Sequence, residues 1–349
     1  MRSPSSTTSP DHPPAPRHCL VTGGAGFIGS HLTERLLARG DTVTVVDNLS
    51  TGRRSNLDQA ARSAGGRLRF IEADLADALS ALGKGERFDE IYHLAAAVGV
   101  RLVVEDPIRS IETNVDQASA ILRYALAHPS PSGSASPPPV LIASSSEVYG
   151  KSTRPVFTEE DDVVYGPTTV ARWSYAFSKA IDEFLALAYH QQRGLPAVVV
   201  RFFNTVGPRQ VGDYGMVLPR FVAAALQGKP LEVHGDGRQS RCFCDVRDVV
   251  GVLPVLLGNP DCHGRVFNVG SDGPISIAEL ADLVIRTLGS PSEIRMVPYT
   301  DVYGSGFEDL RQRRPDLSRI RAAVGFNARI GLEETIRAIA GSMQAECKA

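Results

Sequence analysis

Short apolar runs alternate along the chain with longer segments in which apolar residues recur every three or four positions. One of the helix-like segments is IGSHLTERLLARG, which Gly40 is placed to cap at its C-terminal end. Such alternation predicts the α/β class with a doubly wound parallel sheet. Six runs from residue 17 onward are rich in β-branched residues and have the length of strands buried on both faces: HCLVTG, TVTVVD, RLRFIEAD, EIYHLAA, PVLIASS and AVVVRFF.

This alternation loosens after about residue 205, where helical patterns are separated by shorter strands. The run RVFNVG at 265–270 is a candidate to return to the main sheet. We therefore predict a larger first domain and a smaller α/β domain interleaved with its end. The predicted bounds are 17–205, joined by about 243–273, for the first domain, and 206–242 with 274–349 for the second.

The composition is that of an ordinary globular protein. Of 349 residues, 43% are hydrophobic and 22% are charged, and the formal net charge is −2. We therefore expect no nucleic-acid partner, and no membrane partner because no apolar run approaches the roughly 20 residues of a spanning helix. Residues 1–16 are rich in Ser, Thr and Pro and lack the apolar stretch of a secretory signal, which predicts a disordered extension.

The five cysteines form an odd, scattered set that fits a reducing cytoplasm. Cys242 and Cys244 would present their thiols on one face of a strand. No second pair stands at ligand spacing, so we expect no metal.

The run LVTGGAGFIGSHL has the strand, glycine turn and helix order of a dinucleotide-binding site. Gly23, Gly26 and Gly29 let the backbone approach a pyrophosphate, and the helix N-terminus offers it amide hydrogens. Asp47 ends the next apolar run, 18 residues beyond Gly29, where an acid meets the adenosine ribose hydroxyls. The sequence therefore predicts a dinucleotide cofactor.

An acid at position 47 favours NAD over NADP, because it would repel a 2′-phosphate. Arg53 and Arg54 lie close by in the sequence and keep NADP open. Asp74, which ends the third run, is a candidate for the adenine edge or for a helix N-cap.

Tyr175 and Lys179 stand four residues apart on a helical pattern, WSYAFSKAIDEFLALAY, and so share one helix face. A lysine ammonium beside a phenol favours the phenolate, which would make Tyr175 a general base. This spacing alone is common in ordinary helices. It gains weight here because a dinucleotide pattern and a serine-rich strand end, SSSEVYG, precede it.

With these motifs the chain resembles the extended short-chain dehydrogenases/reductases, a family of nucleotide-sugar epimerases, dehydratases and decarboxylases. The resemblance covers roughly residues 17–340. It implies a Rossmann domain, and Ser145 as the hydroxyl that shares the proton network of the catalytic tyrosine. It also implies a UDP-linked sugar as substrate and a homodimer formed by helices around 107–128 and 172–194. The implied cofactor-binding residues are Gly23, Gly26, Phe27, Ile28, Gly29, Asp47, Asn48, Asp74, Leu75, Leu94, Tyr175 and Lys179.

The resemblance also implies residues on the sugar-nucleotide side. RFFNTVGPR is similar to the segment whose asparagine touches the substrate diphosphate, here Asn204. GDGRQSRCF is similar to the segment that presents an arginine to the same group, here Arg241, and a guanidinium suits a bidentate phosphate contact. Leu231 and Val233 map to the part that flanks the nucleobase.

Glu147 bears on which reaction follows oxidation of the sugar at C4. A 4-epimerase returns the hydride and needs no acid or base at C5. Many 4,6-dehydratases carry Asp-Glu at the positions of Ser146 and Glu147, although some GDP-mannose enzymes carry Ser-Glu. A decarboxylase forms a β-keto acid that sheds carbon dioxide, after which C5 must be protonated.

The segments GPTTVARWSY and YGSGFEDLRQRRPDLSRI resemble UDP-glucuronate decarboxylases, which implies Arg313 in decarboxylation and protonation. One departure is Val103, where known decarboxylases carry a tyrosine that contacts the substrate carboxylate. We predict NAD-dependent decarboxylation of UDP-glucuronic acid to UDP-4-keto-pentose, UDP-xylose or both. A 4-epimerase acting on UDP-glucose or UDP-glucuronate is the main alternative, ahead of a 4,6-dehydratase.

Overall fold

The structure is a computed structural model, and it describes residues 15–82, 85–96, 106–132, 136–212, 216–299, 301 and 311–346. Four features singled out in the sequence lie outside the described residues. They are residues 1–14 of the predicted extension, Val103, residues 303–310 of the segment YGSGFEDLRQRRPDLSRI, and Cys347, the last of the five cysteines.

The described strands begin and end as follows: β1 (His18–Thr22), β2 (Thr42–Asp47), β3 (Leu68–Glu72), β4 (Glu90–His93), β5 (Val140–Ser145), β6 (Ala197–Phe202), β7 (Thr205–Val206), β8 (Leu231–His234), β9 (Ser240–Cys242), β10 (Cys244–Asp245), β11 (Arg265–Val269), β12 (Pro274–Ser276), β13 (Ile294–Val297) and β14 (Gln312–Arg313).

The described α-helices are α1 (Phe27–Arg39), α2 (Asp58–Ser63), α3 (Leu75–Leu82), α4 (Pro107–Ala127), α5 (Ser174–Arg193), α6 (Val217–Leu226), α7 (Val246–Gly258), α8 (Ile277–Leu288), α9 (Ser318–Val324) and α10 (Leu332–Glu346). A short 3-10 helix, Ser146–Tyr149, follows β5 directly. Gly40 caps α1 as predicted. Within the described chain no helix is long and apolar enough to cross a membrane.

Seven strands of the described chain form one parallel sheet in the order β11-β6-β5-β4-β1-β2-β3. This confirms the predicted α/β class and the doubly wound parallel sheet, and it places RVFNVG in the sheet as β11. One run differs from the prediction. β3 is only partly buried, and it lies at one edge of the sheet, where no described strand pairs with its outer side.

Alternate strand residues pack into two hydrophobic cores, one on each face of the sheet. Val21 of β1 packs with α1 and α7, whereas Leu20 packs with α3, α4 and α5 on the opposite face. Val198 and Val199 of β6 divide in the same way. Each fully buried aliphatic side chain of this kind contributes roughly 1.5–3 kcal/mol relative to an exposed one.

A third hydrophobic core lies among α6, α8, α10 and β8, in the part of the chain predicted as the smaller domain. A capping box starts α8: the Ser276 hydroxyl accepts from the Glu279 amide, and the Glu279 carboxylate accepts from the Ser276 amide. Small sheets surround this core, with β9 between β12 and β14 and with β13 beside β8.

The order of the large sheet changes direction between β1 and β4, which are neighbours although β2 and β3 separate them in the chain. In open α/β sheets ligands bind beyond the carboxyl ends of the strands at such a switch point. The glycine turn follows β1, and the serine-rich segment follows β5 at the same end of the sheet.

Candidate active site

The turn after β1 has a backbone that only glycine accommodates at two positions. Gly23 has φ of 70°, and a Cβ there would lie 2.7 Å from the Ala95 amide nitrogen. A Cβ at Gly29 would lie 2.1 Å from the Gly23 carbonyl oxygen. The turn therefore packs tightly against the segment that follows β4 and against the first turn of α1.

The N-terminus of α1 fits a diphosphate. Gly26 is its N-cap and provides no side-chain capping bond, and the first turn carries no acidic residue. Phe27 and Ile28 form that turn and are partly buried. The amide hydrogens and the positive end of the helix dipole are therefore not countered by a side chain of the cap or of the first turn, which is what a dinucleotide pyrophosphate requires.

Asp47 lies at the end of β2 and is held by the glycine turn. Its carboxylate accepts from the Ala25 amide at 2.9 Å and from the Leu49 amide at 2.8 Å. Burial raises the pKa of Asp47, while these amide bonds act in the opposite direction. The acid is thus fixed where the sequence predicts the ribose hydroxyls.

The other predicted adenosine-side residues surround this point. The Asn48 side-chain amide donates to the Asp74 carboxylate at 2.7 Å, so these two exposed side chains form one polar edge. Leu75 starts α3 and is buried in the core, whereas Leu94 is partly buried just after β4. The structure therefore gathers these four residues at the carboxyl ends of neighbouring strands.

Tyr175 lies in the first turn of α5 and faces the end of β5. The pKa of Tyr175 is raised by burial first, then by the negative charges of Glu147 and Asp182. A hydrogen bond with the Ser145 hydroxyl lowers it. Ser145 also accepts from the Glu147 amide at 3.2 Å, which fixes the serine at the start of the 3-10 helix.

Lys179 forms an ion pair within its own helix. Its ammonium donates to the Asp182 carboxylate at 2.7 Å, and both side chains are buried. Lys179 also lies near His93 at the end of β4, where burial and this positive charge lower the histidine pKa to about 3. The effect of Lys179 on the pKa of Tyr175 stays a prediction; the contact that the structure gives the ammonium is the one with Asp182.

Glu147 and Arg313 form an ion pair. An Arg313 guanidinium nitrogen lies 2.5 Å from a Glu147 carboxylate oxygen, and both side chains are largely buried. The pair joins the 3-10 helix after β5 to β14, two segments far apart in the chain. Glu147 therefore lies between Tyr175, whose pKa it raises, and a buried guanidinium.

The strand pairing brings the two predicted substrate arginines together. β14 and β9 are parallel, with Arg313 and Arg241 as register partners, so their side chains leave the same face of this small sheet. The Asn204 side-chain amide donates to the Cys242 carbonyl at 3.3 Å, next to this strand. Two guanidinium groups, each suited to an anion, therefore start on one face of this sheet beside Asn204.

Leu231 and Val233 lie in the third hydrophobic core, each with 0% of its surface exposed. Their side chains offer no surface to a nucleobase, so their predicted role is limited to backbone contacts and stays a prediction.

The family model described as "NAD dependent epimerase/dehydratase family" matches residues 19–270. The chain belongs to this family. UDP-N-acetyl-alpha-D-glucosaminuronate decarboxylase of Bacillus cytotoxicus is 41% identical over 326 residues, which cover 92% of this chain and 97% of the relative. UDP-glucuronic acid decarboxylase 5 of Arabidopsis thaliana is 33% identical and covers 96% and 95%.

A solved structure of UDP-glucuronic acid 4-epimerase from Bacillus cereus, with NAD and a fluorinated UDP-glucuronic acid bound, is 25% identical with a TM-score of 0.80. It covers 94% of this chain and 99% of its own. Members of this epimerase/dehydratase family use NAD, and the glycine turn, the uncapped α1 terminus and Asp47 fit that cofactor. NAD is therefore the cofactor of this chain.

Two features of this family member were not predicted from its sequence. Asp182 follows Lys179 by three residues, and that helical spacing was a signal that could have identified it as the partner. Arg201 of β6 is buried against Glu183 of α5, and Ser144 donates to the same carboxylate. Only the tertiary fold reveals this second cluster.

Proposed function

We propose that this chain is an NAD-dependent decarboxylase of UDP-linked hexuronic acids, with UDP-glucuronic acid as the substrate and UDP-4-keto-pentose, UDP-xylose or both as products. The Glu147–Arg313 ion pair carries the proposal, because a simple 4-epimerase needs no acid or base at C5. The names of the relatives from Bacillus cytotoxicus and Arabidopsis thaliana support the same chemistry.

The reaction begins at the sugar C4 hydroxyl. Tyr175 in its phenolate form removes the hydroxyl proton, and Ser145 orients the oxygen through its hydrogen bond with the phenol. The glycine turn and Asp47 would hold NAD, which would supply the oxidation at C4 and, for UDP-xylose, the later reduction. Lys179, held by Asp182, contributes its positive charge beside the cofactor pocket at the end of β4.

The C4 ketone makes the C5 carboxylate a β-keto acid. The bond between C5 and C6 breaks, carbon dioxide leaves, and the electron pair moves to the C4 oxygen as an enolate. Hydrogen bonds from the Tyr175 and Ser145 hydroxyls stabilise that oxygen. Arg313 attracts the substrate carboxylate before the bond breaks.

Glu147 then supplies the proton to C5. A second carboxylate entering beside Glu147 favours its protonated form, because the two negative charges repel each other, and Glu147 takes up this proton from water. Loss of carbon dioxide removes the second carboxylate and restores the Glu147–Arg313 pair. The ionisation of Glu147 therefore follows the presence of the substrate carboxylate, which couples protonation to bond cleavage.

The proposal is tested by measuring the labelled carbon dioxide released from UDP-glucuronic acid that carries the label at its carboxyl carbon. UDP-glucose, which lacks the carboxylate, is the matched control substrate. The expected result is labelled carbon dioxide, far above the NAD present where UDP-xylose is formed and equal to the NAD reduced where UDP-4-keto-pentose is released. UDP-N-acetylglucosaminuronic acid, run beside it, reports whether an N-acetyl group at C2 is accepted. Conversion of UDP-glucuronic acid to UDP-galacturonic acid without carbon dioxide would instead support a 4-epimerase.

We further propose a homodimer. α4 and α5 pack on each other, and both expose large apolar side chains: Ile108 and Ile111 on α4, Ile181 and Phe184 on α5. Phe184 is 73% exposed, a cost that a second copy covering the same face would remove.

The predicted division into an NAD-binding and a sugar-binding domain is retained as part of the proposal, supported by the separate third core. A cytoplasmic location is also proposed, supported by the free thiols of the four described cysteines.

A further inference from the structure

Asn268 lies near the end of β11 with none of its surface exposed. Its side-chain oxygen accepts from the Tyr149 hydroxyl at 2.7 Å. Its side-chain nitrogen donates to the Phe157 carbonyl at 3.0 Å and to the Asp316 carbonyl at 3.3 Å. Its backbone amide donates to the Glu159 carboxylate at 2.9 Å. One amide side chain therefore connects three segments that are distant in the sequence.

The first of these segments carries Glu147. Tyr149 ends the 3-10 helix on which Glu147 lies, and this tyrosine is fully buried. Its ring stacks on Phe157 with centroids 4.8 Å apart. The bond from the Tyr149 hydroxyl to Asn268 thus fixes the far end of a single helical turn that presents the proposed acid.

The second segment follows Arg313 directly. The Phe157 amide donates to the Arg314 carbonyl at 2.8 Å, and the Asp316 amide donates to the Phe157 carbonyl at 2.8 Å. Asn268 donates to the Phe157 and Asp316 carbonyls, so the backbone immediately after Arg313 is held through Phe157.

We infer that Asn268 is a positioning residue that sets Glu147 against Arg313 without touching either side chain. The inference rests on the proposed function, because it concerns the step at C5. Glu147 lies on the 3-10 helix after β5, and Arg313 lies on β14. Asn268 is hydrogen-bonded to a residue near each of them, Tyr149 on the first segment and Asp316 on the second. Catalysis of this kind loses rate steeply when a reacting group moves by about 1 Å.

The test separates the step at C4 from the step at C5. C4 oxidation is followed as NADH absorbance in single turnovers with UDP-glucuronic acid, and decarboxylation is followed as labelled carbon dioxide. For Asn268→Ala we expect C4 oxidation to persist while the ratio of carbon dioxide to oxidised sugar falls roughly tenfold or more. Accumulated 4-keto-hexuronic acid, or its reduction to the C4 epimer, is the accompanying product.

Tyr149→Phe is the milder variant, since it keeps the ring stacked on Phe157 and removes only the hydroxyl that donates to Asn268. Tyr124→Phe is its matched control, because that hydroxyl donates at the same kind of distance, 2.8 Å, to the Glu86 carbonyl far from the site. We expect a lowered ratio for Tyr149→Phe and an unchanged ratio for Tyr124→Phe. The Tyr149→Phe, Asn268→Ala double variant should lower the ratio no further than Asn268→Ala alone.

Equal loss of both steps in Asn268→Ala and Tyr149→Phe would assign Asn268 a structural role only and overturn the inference. An unchanged ratio in Tyr149→Phe, should Asn268→Ala not fold, would overturn it as well. The wild-type enzyme separates the two claims: if it releases no carbon dioxide from any UDP-hexuronic acid, the proposed function itself fails and the inference with it.

Discussion

Glu147 acts on both halves of the proposed reaction because of where its charge lies. Its carboxylate is 2.5 Å from Arg313 on one side, and on the other its negative charge raises the pKa of Tyr175. The same side chain therefore serves the proton at C5 and influences the base that works at C4. Two separate measurements follow from these two contacts.

Glu147→Gln should spare C4 oxidation and slow the loss of carbon dioxide or the protonation of C5 by about a hundredfold, which is a usual contribution of a general acid. Single-turnover NADH absorbance and labelled carbon dioxide measure the two steps. Glu160→Gln is the matched control, because Glu160 is an exposed carboxylate that also pairs with an arginine, Arg319. If Glu147→Gln decarboxylated like the wild type, Glu147 would be an ordinary turn residue.

The pH dependence of C4 oxidation should move to lower pH in Glu147→Gln. In the proposed mechanism Tyr175 acts as the phenolate, and its pKa is raised by burial and by the Glu147 charge, so the wild-type rate should rise with pH. Removing that charge lowers the pKa of Tyr175 and makes the phenolate available at lower pH. A rate profile measured on both proteins checks this; an unmoved profile, or one shifted to higher pH, would contradict it.

At the scale of the element, a buried cluster holds α5 against the sheet. The Arg201 guanidinium of β6 donates to both Glu183 carboxylate oxygens, at 2.7 and 3.0 Å, and the Ser144 hydroxyl of β5 donates to the same carboxylate at 2.5 Å. Because α5 also carries Tyr175 and Lys179, this cluster fixes the catalytic helix relative to the end of β5.

Glu183→Gln should lower the free energy of unfolding by about 3–5 kcal/mol, because it leaves the buried Arg201 charge without compensation. Denaturant unfolding measures the change. Glu86→Gln is the control, since Glu86 pairs with Arg69 at 2.7 Å while that arginine is 55% exposed, and a pair of this kind contributes about 1 kcal/mol or less. Equal losses in the two variants would show that the buried cluster does not hold α5.

The parts of the site that are formed by residues close together in the chain were predictable from the sequence. The glycine turn and Asp47 follow apolar runs directly, and Tyr175 with Lys179 needs only helical spacing. The contact between Glu147 and Arg313 could not be predicted from sequence spacing. The resemblance to decarboxylases pointed to both residues, and the pairing of β14 with β9 brings Arg313 to the site.

Other features could not be predicted because their cause is tertiary. Asn268 bonds Tyr149 and Phe157 across more than a hundred residues of chain, so no local pattern indicates it. Leu231 and Val233 matched a substrate segment, yet alternation along β8 turns both into the core.

At the scale of the whole molecule, the apolar face of α4 and α5 should be the contact between two copies. Phe184→Asp places a charge at its most exposed apolar side chain and should convert a dimer to a monomer. Val255→Asp is the control, because Val255 is also exposed, at 50%, but lies on α7. Light scattering during size-exclusion chromatography measures both; a monomeric wild type, or a Phe184→Asp dimer, would contradict the proposed interface.

The most direct test of the central claim is a mass spectrum of the products formed from UDP-glucuronic acid with excess NAD in heavy water. We expect a UDP-sugar that has lost carbon dioxide and gained one deuterium at C5, and the ratio of keto sugar to pentose reports how often the intermediate is released. An unchanged mass with a new retention time would mean 4-epimerisation, and the Glu147–Arg313 pair would then have no part in the chemistry.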